Sequence, residues 1–226
     1  VIDQLVATDI SEGMLSVVDA TAEQLGIEDR VTTLHTEAEQ MPLESESFDL
    51  VFGHAVLHHL PDLEASFAEL MRLLKPGGRI AFFGEPSRIG DRLARHPKNF
   101  AIKAAPLWRR ALSIREPEPV AYEEGDGHTV EHLVDVHAFV PEDLKAIARG
   151  AGFENVRIVG EELLANWFGW TNRTLEAQAR TEDIPNLWRQ FAYRGYLSMQ
   201  WLDRVALEGR LPAQIFYNLL LGARKP

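Results

Sequence analysis

The 226-residue chain contains no cysteine, so disulfides, thiolate metal sites and a thiol nucleophile are all excluded. That absence fits any redox compartment. Cations are scarce too: 23 Lys and Arg stand against 34 Asp and Glu, for a net charge of −11. Affinity for a phosphate backbone comes mainly from clustered Lys and Arg, and here they are scattered apart from modest clusters such as Arg88, Arg92, Arg95 and Lys98. A nucleic-acid partner is therefore not expected. No apolar run reaches the roughly 18 residues of a membrane span and no signal peptide is visible, so a cytoplasmic protein is the default expectation. What is present, 46% hydrophobic residues, is enough to bury a core, and one domain with insertions fits the length better than two full domains.

The pattern along the chain is α/β. Phe48 to Phe52 is a short apolar run suited to a buried parallel strand. Leu63 to Leu74 follows as a helix, with Leu63, Phe67, Leu70, Met71 and Leu74 at three- and four-residue steps. Lys75-Pro76-Gly77-Gly78 stops it, and Arg79 to Phe83 is the next strand. Upstream, Leu5 to Thr8 reads as a strand, and Ser11 to Leu25 as a helix capped by Ser11 and ended by Gly26. Val31 to His35 is a strand, and residues 36–47 form a polar loop. Downstream, a helix opens at Pro141 and runs to Arg149, Phe153 to Val159 is a strand, and Ala213 to Ala223 is the final one. Two long interruptions remain, 87–140 and 161–212. Such lengths imply structure of their own or a lid. The second holds a helix from about Pro185 to Leu207, whose stripe of Trp188, Phe191, Ala192, Gly195, Met199, Leu202 and Ala206 is expected to pack on the sheet.

The segment FDLVFGHAVLHHL followed by LLKPGG resembles the class I S-adenosylmethionine-dependent methyltransferases of the small-molecule branch. LVATDIS with GMLSVV resembles that family's second strand, and TEAEQMPL its third-strand loop, so the likeness covers residues 5–86. The resemblance implies a Rossmann-like, doubly wound, mostly parallel sheet ending in an antiparallel hairpin, with helical cap insertions. On this reading 1–86, 141–160 and 213–226 form the core, 87–140 a substrate lid and 161–212 a helical cap. The family's glycine-rich loop has no counterpart in the chain, and Val1 is read as an internal start that follows it.

The resemblance further implies S-adenosylmethionine as cofactor, with Asp9 accepting from the ribose hydroxyls. A helix cap is the plain alternative for Asp9. Ile10 and Met14 would flank the adenine, with Glu37 near its exocyclic amine and Ala38 offering backbone N–H. Glutamate stands at position 37 where the family more often has aspartate. His54 falls beside the transferable methyl and is the first candidate for catalysis, as general base or through backbone contacts alone. His58, in the Leu-His-His-Leu turn, is the second, with packing its alternative. Trp167, Phe168 and Trp170 are candidate substrate walls, or core beneath a helix.

Function on this reading is methyl transfer to a small, partly apolar acceptor, at oxygen or carbon rather than nitrogen. A non-catalytic binding protein of the same fold is the alternative. A nicotinamide dehydrogenase would explain Asp9 but not the LHHL and LKPGG pair. His128, His132 and His137, with Asp126, Glu131 and Asp135, are too loosely patterned for a metal site, and none is expected. Nothing in the sequence sets the oligomeric state.

Overall fold

The computed structural model describes residues 2–117 and 138–226. The first unit is β1 (Leu5–Asp9), α1 (Glu12–Leu25) and β2 (Val31–His35). Ser11 caps α1 by accepting from Met14 N, and Gly26 closes it at φ 65, a left-handed turn that glycine adopts without steric cost. β1 and β2 run parallel, Leu5 opposite Val31 and Asp9 opposite His35. Among the described residues they pair only with each other.

The main sheet has order β3-β4-β6-β5. β3 (Phe48–His54) and β4 (Leu74–Pro86) are parallel and joined by α2 (Leu63–Leu73). β6 (Asn218–Arg224) runs antiparallel to both β4 and β5 (Glu154–Glu161), which supplies the expected terminal hairpin. Two boundaries differ from the sequence reading. The Lys75–Gly78 turn is absorbed into β4, because Leu74 already pairs with Phe48 and Gly77 N reaches the carbonyls of Lys225 and Pro226. The last strand begins at Asn218 rather than Ala213, since Ala213–Ile215 is a single 3₁₀ turn.

Alternation explains the core. Leu219, Leu221 and Ala223 point to one face of β6, meeting Ile80 and Phe82 of β4. Over them lie Phe67, Leu70 and Leu73 of α2, with Leu144 and Ala148 of α4 (Pro141–Gly150). Each fully buried Leu or Phe contributes about 1.5–3 kcal/mol of transfer free energy. Among the helices outside this core, α3 (Arg88–Leu112) packs on α5 (Leu164–Ala177), and α5 packs on α6 (Asn186–Leu202). Ala101, Ala105 and Leu175 make a small second core, flanked by Trp108 and Trp188. The stripe on α6 therefore faces α5 and α3 rather than the sheet. No residue of α6 is fully buried, and Phe191 remains 52% exposed. The helix ends in a π turn, Asp203–Leu207.

Candidate active-site cleft

β3 and β4 end side by side, and the chain leaving β3 must turn sharply. Ala55 takes φ 53, and its N–H donates to Phe83 O at 2.8 Å. A non-glycine residue held there is strained, and the restraint is Glu85, whose side chain is fully buried. Glu85 Oε1 accepts from Val56 N and Leu57 N at 2.9 and 3.0 Å, while Oε2 accepts from His58 N at 3.2 Å and His58 Nδ1 at 2.8 Å. A carboxylate has only acceptors, so His58 must carry its proton on Nδ1, which leaves Nε2 with a lone pair. His59 stacks on His58 with ring centroids 4.0 Å apart, and burial with that neighbour pushes the His59 imidazole below its ordinary value. His54 is exposed and lies edge-on to Phe83. Beneath it Gly84, at φ 75, leaves room for the ring: a Cβ there would sit 2.8 Å from Nε2.

Facing these strand ends is a helical wall. Asn166, Gly169, Trp170 and Arg173 recur at three- and four-residue steps along α5, and with Tyr196 of α6 and Tyr217 and Asn218 at the head of β6 they line a cleft of about 570 Å³. His54, Ala55, His58, Gly84 and Glu162 line it too. Trp170 meets Tyr217 edge-on at 5.9 Å, and Lys98 Nζ rests 3.6 Å above its ring. Burial pushes the Lys98 ammonium below its usual range. The wall hangs on Asp203, which is fully buried and accepts from Leu164 N and Ala165 N at 3.0 and 2.9 Å, so a side chain from the π turn satisfies the first turn of α5.

The structure thus brings His54, His58 and Trp170 into one cleft. It does not bring Phe168 or Trp167 to its lining: Phe168 lies two residues from Trp170, hence on another helix face, and packs on Phe191 and beside Gly195. Asp9, Ile10, Met14, Glu37 and Ala38 are outside the cleft as well. Asp9 ends β1, with Oδ1 accepting from Ser11 N at 2.8 Å. Beside it Ile10 and Met14 are 71% and 56% exposed. Glu37 is exposed, and Ala38 packs against the main core. Their loop is clamped to α2 by Glu69, which accepts from Met41 N and twice from Arg72, while Arg72 donates to Met41 O and Leu43 O. Arg72 holds the Glu69 carboxyl below its usual value. His128, His132 and His137, with Asp126, Glu131 and Asp135, lie outside the described residues. Glu85, Glu162, Tyr196 and Asn218 were not anticipated, though an acid closing the apolar run IAFFGE was a signal for the first.

Residues 1–82 match the family model for a methyltransferase domain. Over those residues the chain carries a methyltransferase domain similar to that of the class I S-adenosylmethionine-dependent methyltransferases. The chain is 30% identical over 158 residues to a demethylmenaquinone methyltransferase of Clavibacter sepedonicus, covering 67% of this chain and 57% of that one. It is 28% identical over 153 residues to a ubiquinone/menaquinone biosynthesis C-methyltransferase of Cronobacter sakazakii, covering 68% and 57%. It therefore spans little more than half the length of these relatives. In three dimensions 99% of the chain superimposes on 43% of a Haemonchus contortus phosphoethanolamine N-methyltransferase, at 17% identity and a TM-score of 0.55, a likeness of fold. No helix among the described residues is long and apolar enough to cross a membrane.

Proposed function

We propose that this chain transfers the methyl group of S-adenosylmethionine to carbon or oxygen of a small aromatic acceptor of quinone type, bound between the strand ends and α5. The observation that carries it is the buried Glu85–His58 pair in the wall of an aromatic-lined cleft. The quinone class is carried over from the names of the relatives, and the ring-sized walls of Trp170, Tyr196 and Tyr217 support it.

The residues fit the cofactor. Asp9 keeps Oδ2 without a partner among the described residues, so it can accept a ribose hydroxyl. Ile10 and Met14 expose apolar surface beside it, as a flat base requires. When bound, the cofactor supplies a methyl group on a positively charged sulfur. The protein aligns the acceptor and excludes water, and His58 Nε2 takes the proton that the acceptor atom gives up, with Glu85 stabilising the imidazolium. His54 serves as cleft wall above Gly84.

The test is His58→Gln, assayed with S-adenosylmethionine and 1,4-dihydroxynaphthalene. Turnover is expected to fall by about a hundredfold or more, the usual worth of a positioned base, with affinity for S-adenosylhomocysteine unchanged. Undiminished turnover would overturn the assignment. Separately, Asp9→Ala removes a charged acceptor and is expected to weaken S-adenosylhomocysteine binding by at least about tenfold. Calorimetry showing equal affinity would remove Asp9 from the site.

A further inference from the structure

Glu162 lines the cleft and is held at φ 61, a left-handed conformation that costs a residue with a side chain of this size. Its carboxylate gathers three donors from elements distant in sequence. Oε1 accepts from Tyr196 Oη at 2.8 Å and Gln200 Nε2 at 2.7 Å, and Oε2 accepts from Asn218 Nδ2 at 3.0 Å.

Each of these partners has a donor end and an acceptor end, whereas a carboxylate can use only donors. The one phenolic proton of Tyr196, which lines the cleft, is spent on Glu162, so its oxygen has only lone pairs left, and among the described residues nothing donates to it. Asn218, also cleft-lining, gives one N–H of its amide to Glu162, which fixes the orientation of that amide and leaves Oδ1 and a second N–H. Burial and Glu162 push the Tyr196 phenol up to about 12, so it keeps that proton through the working range.

We propose that Glu162 determines specificity: by consuming the one phenolic proton of Tyr196 it leaves that oxygen as an acceptor in the cleft, which selects a ring bearing hydroxyl or N–H donors and rejects the same ring in its carbonyl form. This rests on the cleft being the acceptor site. The selection has a chemical use. A hydroxylated ring is electron-rich and can attack an electrophilic methyl, and it has hydroxyl protons to give. A quinone carbonyl ring has neither property.

The experiment measures dissociation constants of 1,4-dihydroxynaphthalene, kept reduced, and 1,4-naphthoquinone on the wild type, Glu162→Gln and Tyr196→Phe, with S-adenosylhomocysteine present. The quinone has no cysteine to alkylate. Each hydrogen bond is worth about two- to tenfold, so the wild type is expected to prefer the dihydroxy form by about tenfold. Glu162→Gln, whose amide nitrogen cannot accept, forces one partner to turn its donor end to the cleft and is expected to erase or invert that preference. Tyr196→Phe, which removes that acceptor and one of the three donors to Glu162 while leaving the carboxylate in place, is expected to cut it about threefold and decides the matter should Glu162→Gln fail to fold. Equal binding of both rings to the wild type, or a preference unmoved in the folded variants, overturns this inference alone. Binding of neither ring, with S-adenosylhomocysteine still bound, overturns the acceptor-site reading beneath it.

Discussion

The two walls of the cleft are each held by carboxylates, Glu85 fully buried and Glu162 half-buried, but the two hold different things. On the strand side Glu85 binds three backbone N–H groups and one imidazole, all within residues 56–58. It fixes the path of the chain whatever side chains that turn carries. On the helical side Glu162 binds three side chains drawn from positions 196, 200 and 218. That arrangement fixes which atoms face the ligand and leaves the path to Asp203. A wall built on backbone tolerates a change of side chain at the residues it holds, whereas one built on side-chain donors changes with each of them.

The largest effect should come from breaking the strand wall. Glu85→Ala strands three buried N–H groups at about 1–3 kcal/mol each and opens a cavity, so a loss of about 4 kcal/mol or more is expected, a large part of the stability of an ordinary domain. Urea unfolding checks it. A loss below about 1 kcal/mol would mean that the turn after β3 holds itself.

Next comes Asp203→Ala, which removes the acceptor for two N–H groups at the start of α5 and should cost about 2–3 kcal/mol. Hydrogen exchange makes the comparison local. Amides of residues 164–167 should lose protection while those of 56–58 keep theirs. Equal loss in both places would show that the walls are one cooperative unit. Phe168→Ala should cost somewhat less, about 2 kcal/mol, because the ring is only half-buried between α5 and α6 and full burial sets the upper range. Acceptor binding that collapses while stability holds would return Phe168 to the cleft.

The same contrast explains what the sequence made legible. β1, β2, β3 and α2 were readable because apolar periodicity and caps such as Ser11 act locally. The two histidines that line the cleft were readable because their neighbours form a motif. α5 was not, since Leu163 provides no side-chain cap and the acceptor for its first turn lies nearly forty positions on, at Asp203. α3 hid behind Pro97 and Pro106, which ordinarily argue against a helix interior. Of the aromatic trio only Trp170 reaches the cleft, a distinction that needed the phase of α5. Glu162 stands in an acidic pair at the end of β5 that no motif marks, and only the fold shows which donors it collects.

The smallest expected effect separates those two acids. Glu161 has its carboxyl raised above the ordinary value, first by burial and then by Glu208 and Glu162, with Arg204 opposing. The folded protein therefore holds this proton more tightly than the unfolded chain does. The stability it lends is complete below the unfolded value of 4.5 and declines as pH rises through the elevated folded one. Glu161→Gln, uncharged throughout, should accordingly melt above the wild type at pH 8, with the gap closing as pH falls through the elevated folded value and closed by 4.5. Because the side chain is partly exposed and solvent screens it, the gain should be well below the loss from Asp203→Ala. A wild type that melts higher at pH 8 would mean that Glu161, like its neighbour, is held by donors rather than crowded by acids.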